Sequence, residues 1–270
     1  MDKIQTTPEI TGERIREYLK EEGKRFDNRN PLEFREIKIE TNISKNAEGS
    51  ARVKIGKTEV LVGIKMSVST PYPDSPNKGN LMTTAELLPL SSPRFENGPP
   101  RFPAIELGRV IDRVIRESKF IDFEKLCIKE GEKVWTVFVD IYSINDDGNL
   151  LDAAGIGAMI ALRNTKIPKY DEKEERVLFG ESSGKSLLLS KENPISITFH
   201  KIGEKIIVDP TREEEDVSET RVTIGSSDGI IHSMQKGNKV GLTLEEMNTI
   251  LDNVEKVWKE MFNKIEKFLK

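Results

Sequence analysis

The sequence predicts an α+β fold: two βαβ-like blocks with mixed sheets and packed helices, closed by a long C-terminal helix. Three observations carry that expectation. Apolar residues alternate with period two from Phe34 to Met66 and again over 133–144, the spacing of half-buried strands. A run of small residues, Ala153-Ala154-Gly155-Ile156-Gly157-Ala158, follows the second alternation and reads as a closely packed helix. From Thr243 onward an apolar stripe recurs at helical spacing.

Taken in order, residues 8–22 read as an amphipathic helix. Thr7-Pro8 supplies a cap and first turn, Ile15, Tyr18 and Leu19 form the stripe, and Gly23 the stop. Phe34/Ile37/Ile39, Ala51/Val53/Ile55 and Val60/Val62/Ile64 then form a meander punctuated by Gly49 and Gly56-Lys57. A Pro/Gly-rich loop over 67–80 leads to a strand from Leu81 to Leu88. A second such loop over 89–103 leads to a helix from Ala104 to Ser118. The strand of 133–144 enters the small-residue helix of 153–163, and the charged Lys169–Arg176 reads as a surface linker. A second β-rich block covers about 177–236. The last helix opens on a Thr243…Glu246 capping box and carries Leu244, Met247, Ile250, Leu251, Val254, Trp258, Met261, Ile265 and Phe268 on one stripe. The chain thus divides into an N-terminal helical arm (1–30), a first part (31–168), a linker and hairpin (169–192) and a second part (193–270).

A chain of 270 residues can bury a substantial core. Its formal net charge of −4 means that any nucleic-acid contact must come from a local basic patch rather than the total. The single Cys127 excludes an intrachain disulfide and suits a reducing compartment. With no apolar run near the length of a membrane span and no signal-like N-terminus, the expectation is a soluble, cytoplasmic protein with no membrane partner.

One helix presents a patterned charge. Arg109, Arg113 and Arg116 stand at i, i+4 and i+7, and at about 100° per residue they share an arc of roughly 60°. Leu107, Val110, Ile111 and Val114 lie opposite. A row of guanidinium forks suits phosphates along a backbone. Equally, Glu106, Asp112 and Glu117 could make this an ordinary solvated face of internal ion pairs.

Other signals fall away. Gly180-Glu181-Ser182-Ser183-Gly184-Lys185-Ser186 has three residues between its glycines where a phosphate-binding loop needs four, and reads as a hairpin turn. His200 and His232 are isolated, so neither a metal site nor a catalytic triad is expected, and no cofactor is implied. Cys127 reads as a small buried hydrophobe, and Trp135 and Trp258 as core or interface.

Several longer stretches are more specific. Asn80-Leu81-Met82-Thr83-Thr84-Ala85-Glu86-Leu87-Leu88-Pro89-Leu90, Glu96-Asn97-Gly98-Pro99-Pro100 and Ala104-Ile105-Glu106-Leu107-Gly108-Arg109-Val110-Ile111-Asp112-Arg113 closely resemble the RNase PH family. So do Asn46-Ala47-Glu48-Gly49-Ser50 and Gly56-Lys57-Thr58-Glu59-Val60-Leu61. Within that family they are most similar to the non-catalytic subunits of archaeal exosomes, from about residue 12 to the C-terminal helix. The resemblance implies an RNase PH-like fold and three heterodimers with a catalytic RNase PH-like paralogue, arranged as a hexameric ring. It also implies RNA-binding cap subunits on one face and RNA threading inward for phosphorolysis. The arginines matching Arg109 and Arg113 touch RNA phosphates in that family, and Arg116 shares their face.

The resemblance also shows what this chain lacks. Phosphorolytic members carry Asp-Gly-Gly-Thr-Arg where this chain has Asp147-Gly148-Asn149-Leu150-Leu151, and their Thr and Arg hold the attacking phosphate. They also carry two Asp residues six apart. Here the acidic run Glu213-Glu214-Glu215-Asp216 has Thr220 six beyond Glu214 and Val222 six beyond Asp216, so no second carboxylate lines up, and the run reads as a solvated loop. No catalytic residue is therefore expected. The rival reading is a self-sufficient phosphorolytic exoribonuclease holding phosphate on backbone N–H groups at Asn149–Ala153.

Overall fold

The computed structural model describes residues 6–269, so the first five residues of the expected N-terminal arm and Lys270 lie outside the described residues. The arm forms α1 (Glu9–Glu21), one residue inside the expected bounds at each end. Pro8, not Thr7, takes the N-cap position; the Thr7 hydroxyl donates instead to Asp216 Oδ2 at 2.9 Å. Ile15 and Leu19 are buried with Val217, Ile202 and Ile207, tying the arm to the far end of the chain.

The first sheet contains β1 (Ile37–Thr41), β2 (Gly49–Ile55), β3 (Thr58–Ser69), β4 (Asn80–Leu87), the short β5 (Cys127–Lys129) and β6 (Lys133–Asn145). Its order is β1-β2-β3-β6-β4, with β5 on β6. The β2–β3 turn needs a left-handed residue, and Gly56 supplies it at φ +58°. Gly49 opens β2 rather than separating strands. Among the described residues only β4 and β6 run parallel; α2 (Phe102–Glu117) is their crossover, as a parallel pair requires. Cys127 sits at the start of β5, half-buried rather than buried.

The second sheet is antiparallel: β9 (Ile195–Ile202), β10 (Lys205–Val208), β11 (Thr220–Ser227) and β12 (Ile230–Gly237), in the order β10-β9-β11-β12. A short helix, α4 (Arg212–Val217), joins β10 to β11.

Between the sheets runs α3 (Leu150–Arg163), buried over almost its whole length. Small residues permit this. A Cβ on Gly157 would come within 2.7 Å of Val62, and one on Gly155 within 2.0 Å of the Ser196 hydroxyl. A helix apolar on all sides belongs in a core, which is where this one lies. The closing helix, α5 (Leu244–Ile265), packs on β9 and β11 through Ile250, Val254, Val257, Trp258, Met261 and Ile265. Its capping box forms: Thr243 Oγ1 accepts from Glu246 N–H at 3.2 Å, and Glu246 Oε2 accepts from Thr243 N–H at 2.9 Å. Two members of the expected stripe, Leu244 and Leu251, are exposed, while Val257, outside it, is buried.

The segment read as a surface linker belongs to a hairpin of β7 (Lys166–Asp171) and β8 (Arg176–Ser186). The supposed turn at Gly180–Ser186 is strand, kinked where Gly180 and Gly184 take φ values of +84° and +77°. Because β8 is mostly exposed, it lacks the apolar alternation by which a strand is recognised.

Candidate nucleic-acid interface

Helix α2 lies against β4 on one side and against β11 and β12 on the other. Gly108 allows the close approach: a Cβ there would sit 3.1 Å from the Thr83 carbonyl. Leu107, Val110, Ile111 and Val114 are buried, leaving Arg109, Arg113 and Arg116 exposed on the opposite face. The three do not have equal freedom. Arg116 is held by Asp112, with Nε and Nη2 donating to the two carboxylate oxygens at 3.0 Å each, and Nη2 also donates to the Leu81 carbonyl at 3.2 Å. Glu106 is taken by Arg221 at 2.5 Å. Two of the three acidic neighbours of the ridge are therefore engaged by arginines other than Arg109 and Arg113. Arg109 and Arg113 form no ion pair or side-chain hydrogen bond with the described residues.

The α3 entrance is partly taken up by the protein's own groups. Gly148 and Asn149 both take left-handed conformations, φ +84° and +64°, to turn β6 into the helix. Gly148 must remain a glycine, since a Cβ would lie 2.5 Å from the Pro210 carbonyl. The Asn149 N–H, the first donor at this mouth, goes to Glu215 Oε2 at 3.2 Å, and its side-chain amide donates to Asp209 Oδ1 at 2.9 Å. Leu150 is buried in the core and Leu151 half-buried. An incoming phosphate would thus meet two leucines and a carboxylate.

The acidic run is not a solvated loop, as the sequence suggested. Thr211 and Glu214 form a capping box that starts α4 and points Glu214 inward. There Arg25 Nε donates to Glu214 Oε1 at 2.8 Å, and Arg25 Nη2 pairs with Oε2. Arg25 also donates to the carbonyls of Val208 (2.8 Å) and Asp209 (2.7 Å), which leaves it fully buried. The Asp209 carboxylate accepts from Arg35 at 2.7 and 2.9 Å and from Arg29 at 2.9 Å. Burial alone would push the Asp209 carboxyl up, but the hydrogen bonds and charge of Arg35, with Arg29, hold it below the usual carboxylate range. Asp216 is likewise held low against its burial by Arg212, Thr7 and Thr6. These acids are structural partners of arginines from the N-terminal segment and α4. The signal missed in the sequence was Thr211…Glu214, the same T-x-x-E pattern that marked Thr243.

A second missed residue is Asp152. It is wholly buried, accepting from Thr198 Oγ1 at 2.7 Å and Thr198 N–H at 3.2 Å. Burial pushes its carboxyl up to about 7 in spite of the hydrogen bonds from Thr198 and Asn149, and the charge of Asp209 adds to the rise. The histidines stay apart in role: His200 is buried on β9 with Nδ1 3.0 Å from Ser218 Oγ, and His232 Nε2 is 3.8 Å from Glu192. Among the described residues no group of three or more His, Cys, Asp or Glu is placed to hold a metal ion, and no helix is long and apolar enough to cross a membrane.

Residues 33–168 match domain 1 of the 3′ exoribonuclease family, and residues 192–256 match its domain 2. The chain is 43% identical over 259 residues to the exosome complex component Rrp42 of Methanothermobacter thermautotrophicus, a match covering 95% of each. Among solved structures it resembles a chain of the Archaeoglobus fulgidus exosome with RNA bound to the active site. The TM-score is 0.85 at 42% identity, covering 95% of this chain and 100% of that one. It also resembles a chain of an archaeal exosome core, with a TM-score of 0.81 at 39% identity, covering 97% and 98%.

Proposed function

The chain belongs to the 3′ exoribonuclease family of RNase PH-like proteins, and from that premise we propose that it is a non-catalytic subunit of an archaeal-type RNA exosome. In this reading it alternates with a catalytic RNase PH-like paralogue in a ring of three heterodimers, and RNA-binding cap subunits sit on one face. It helps shape the paralogue's active site and touches RNA during phosphorolytic 3′-to-5′ degradation. The working compartment is the cytoplasm.

The observation that carries the non-catalytic part is the α3 entrance. The side chains of Leu150 and Leu151 offer no donor or charge to an attacking phosphate, and the Glu215 carboxylate already accepts from the Asn149 N–H. Like charge at a helix N-terminus repels the anion that its dipole would otherwise attract. The acids near this point are spent on Arg25, Arg29, Arg35 and Arg212 rather than on a reacting group. The same features disfavour a self-sufficient exoribonuclease.

The RNA contact is assigned to Arg109 and Arg113, which stand exposed on α2. Arg116 shares the face but is held by Asp112, so its part is smaller. The test is phosphate-dependent release of nucleoside diphosphates from RNA by the purified chain, alone and mixed with its paralogue. Activity is expected only in the mixture, and Leu150→Thr/Leu151→Arg should leave the isolated chain inactive. Robust phosphate-dependent turnover by the chain alone overturns the reading.

A further inference from the structure

The exposed ridge of α2 does not begin with charge. Its first residue is Phe102, 65% exposed. At about 100° per residue Phe102 falls between Arg109 and Arg113 in azimuth, roughly 20° from each, so the three form one line along the helix. At about 1.5 Å per residue, Phe102 stands roughly 10 Å along the axis from Arg109, and Arg109 roughly 6 Å from Arg113. A single exposed apolar side chain is ordinary on a protein surface. This one differs in its alignment with two guanidinium groups that pair with no described residue, and its ring stacks on no other ring among the described residues. Its position is firm, because Pro103 fixes the first turn of a 16-residue helix packed on β4.

Single-stranded nucleic acid is held by cations that track the phosphates and by aromatic faces on which bases stack. We propose that Phe102 is a base-stacking platform for single-stranded RNA, extending the Arg109–Arg113 phosphate track toward the start of α2. The proposal rests on the reading that this face of α2 meets RNA. Charge favours RNA over an apolar protein surface as the occupant. A protein seated on Phe102 and the neighbouring exposed Ile105 would have to accommodate Arg109 within the next two turns and supply carboxylates for it, whereas a strand brings its own phosphates.

The test uses the complex of this chain with its catalytic paralogue, rendered inactive, and a labelled oligouridylate. A matching set of oligouridylates carries one abasic site at successive positions. Phe102→Leu keeps bulk and apolarity but removes the π face, and Phe102→Tyr retains it. Phe102→Leu is expected to weaken binding by about 5- to 150-fold, the loss of one stacked base. Phe102→Tyr should bind like the unmodified protein. The dependence of affinity on salt should not change, since no phosphate contact is lost. An abasic site at one position should erase the difference between Phe102→Leu and the unmodified complex. If Phe102→Leu leaves affinity unchanged while Arg109→Ala/Arg113→Ala lowers it, the platform is refuted and the arginine track stands. If Phe102→Leu instead impairs assembly with the paralogue and spares RNA affinity, the residue is a protein contact and the proposal falls. If neither variant changes RNA affinity, the RNA-facing reading of α2 falls with it.

Discussion

Asp152 gives the most quantitative expectation. Its carboxyl titrates at about 7 in the folded chain, against about 3.9 in an unfolded one. A carboxyl whose folded pKa is raised favours folding while both states are protonated. That contribution is full below about pH 3.9, declines as pH rises, and is gone once pH passes about 7. The separation of about three units corresponds to roughly 4 kcal/mol, of which roughly 3 kcal/mol falls between pH 4.5 and pH 8. Asp152→Asn should remove this slope without emptying the site. The amide can accept from the Thr198 N–H and donate to Thr198 Oγ1, which can turn its own proton toward Thr223 Oγ1, 3.1 Å away. The assay is urea unfolding of the purified chain and of Asp152→Asn at half-unit steps from pH 4.5 to 8. The stability of the variant relative to the unmodified chain should rise with pH by roughly 3 kcal/mol and level off above pH 7. A difference that stays flat, or that falls with pH, refutes the argument that burial outweighs the hydrogen bonds at this carboxyl.

Arg25→Met leaves Glu214 buried without its cation and should cost about 3–5 kcal/mol in denaturant unfolding. Arg25→Met/Glu214→Gln should recover part of that, because Gln keeps the bond to the Thr211 N–H and removes the charge. A loss below about 1 kcal/mol in the single variant contradicts the buried-pair account. In the assembled complex, Arg109→Ala/Arg113→Ala should weaken RNA binding about equally across sequences and flatten the log–log salt slope by about 1.4, or 0.7 per contact. Arg116→Ala should change that slope less than either other arginine alone, because Asp112 already holds Arg116; equal effects from all three would contradict the assignment.

Much of this protein was readable one element at a time. Local signals suffice where a segment's own periodicity or chemistry dictates its state. The alternation of Val60, Val62 and Ile64 marks a strand buried on one face, and Thr243 with Glu246 marks a helix start. The spacing of Arg109, Arg113 and Arg116 by itself fixes a common helix face. The leucines at 150 and 151 likewise remove phosphate-holding side chains in any fold, since a leucine side chain carries no donor. Sequence could not rank the three arginines. That depended on which acids lay within reach, and Glu106 turned to Arg221, 115 positions away. Nor could it tell a solvated acidic loop from a buried network, because Glu214 and Asp209 are charged in the chain and become affordable inside it only when Arg25, Arg29 and Arg35 arrive from its other end. The state of Asp152 is the same kind of fact. A carboxyl's ionisation is set by the water and charges around it, and those exist only after α3 has been enclosed between the two sheets.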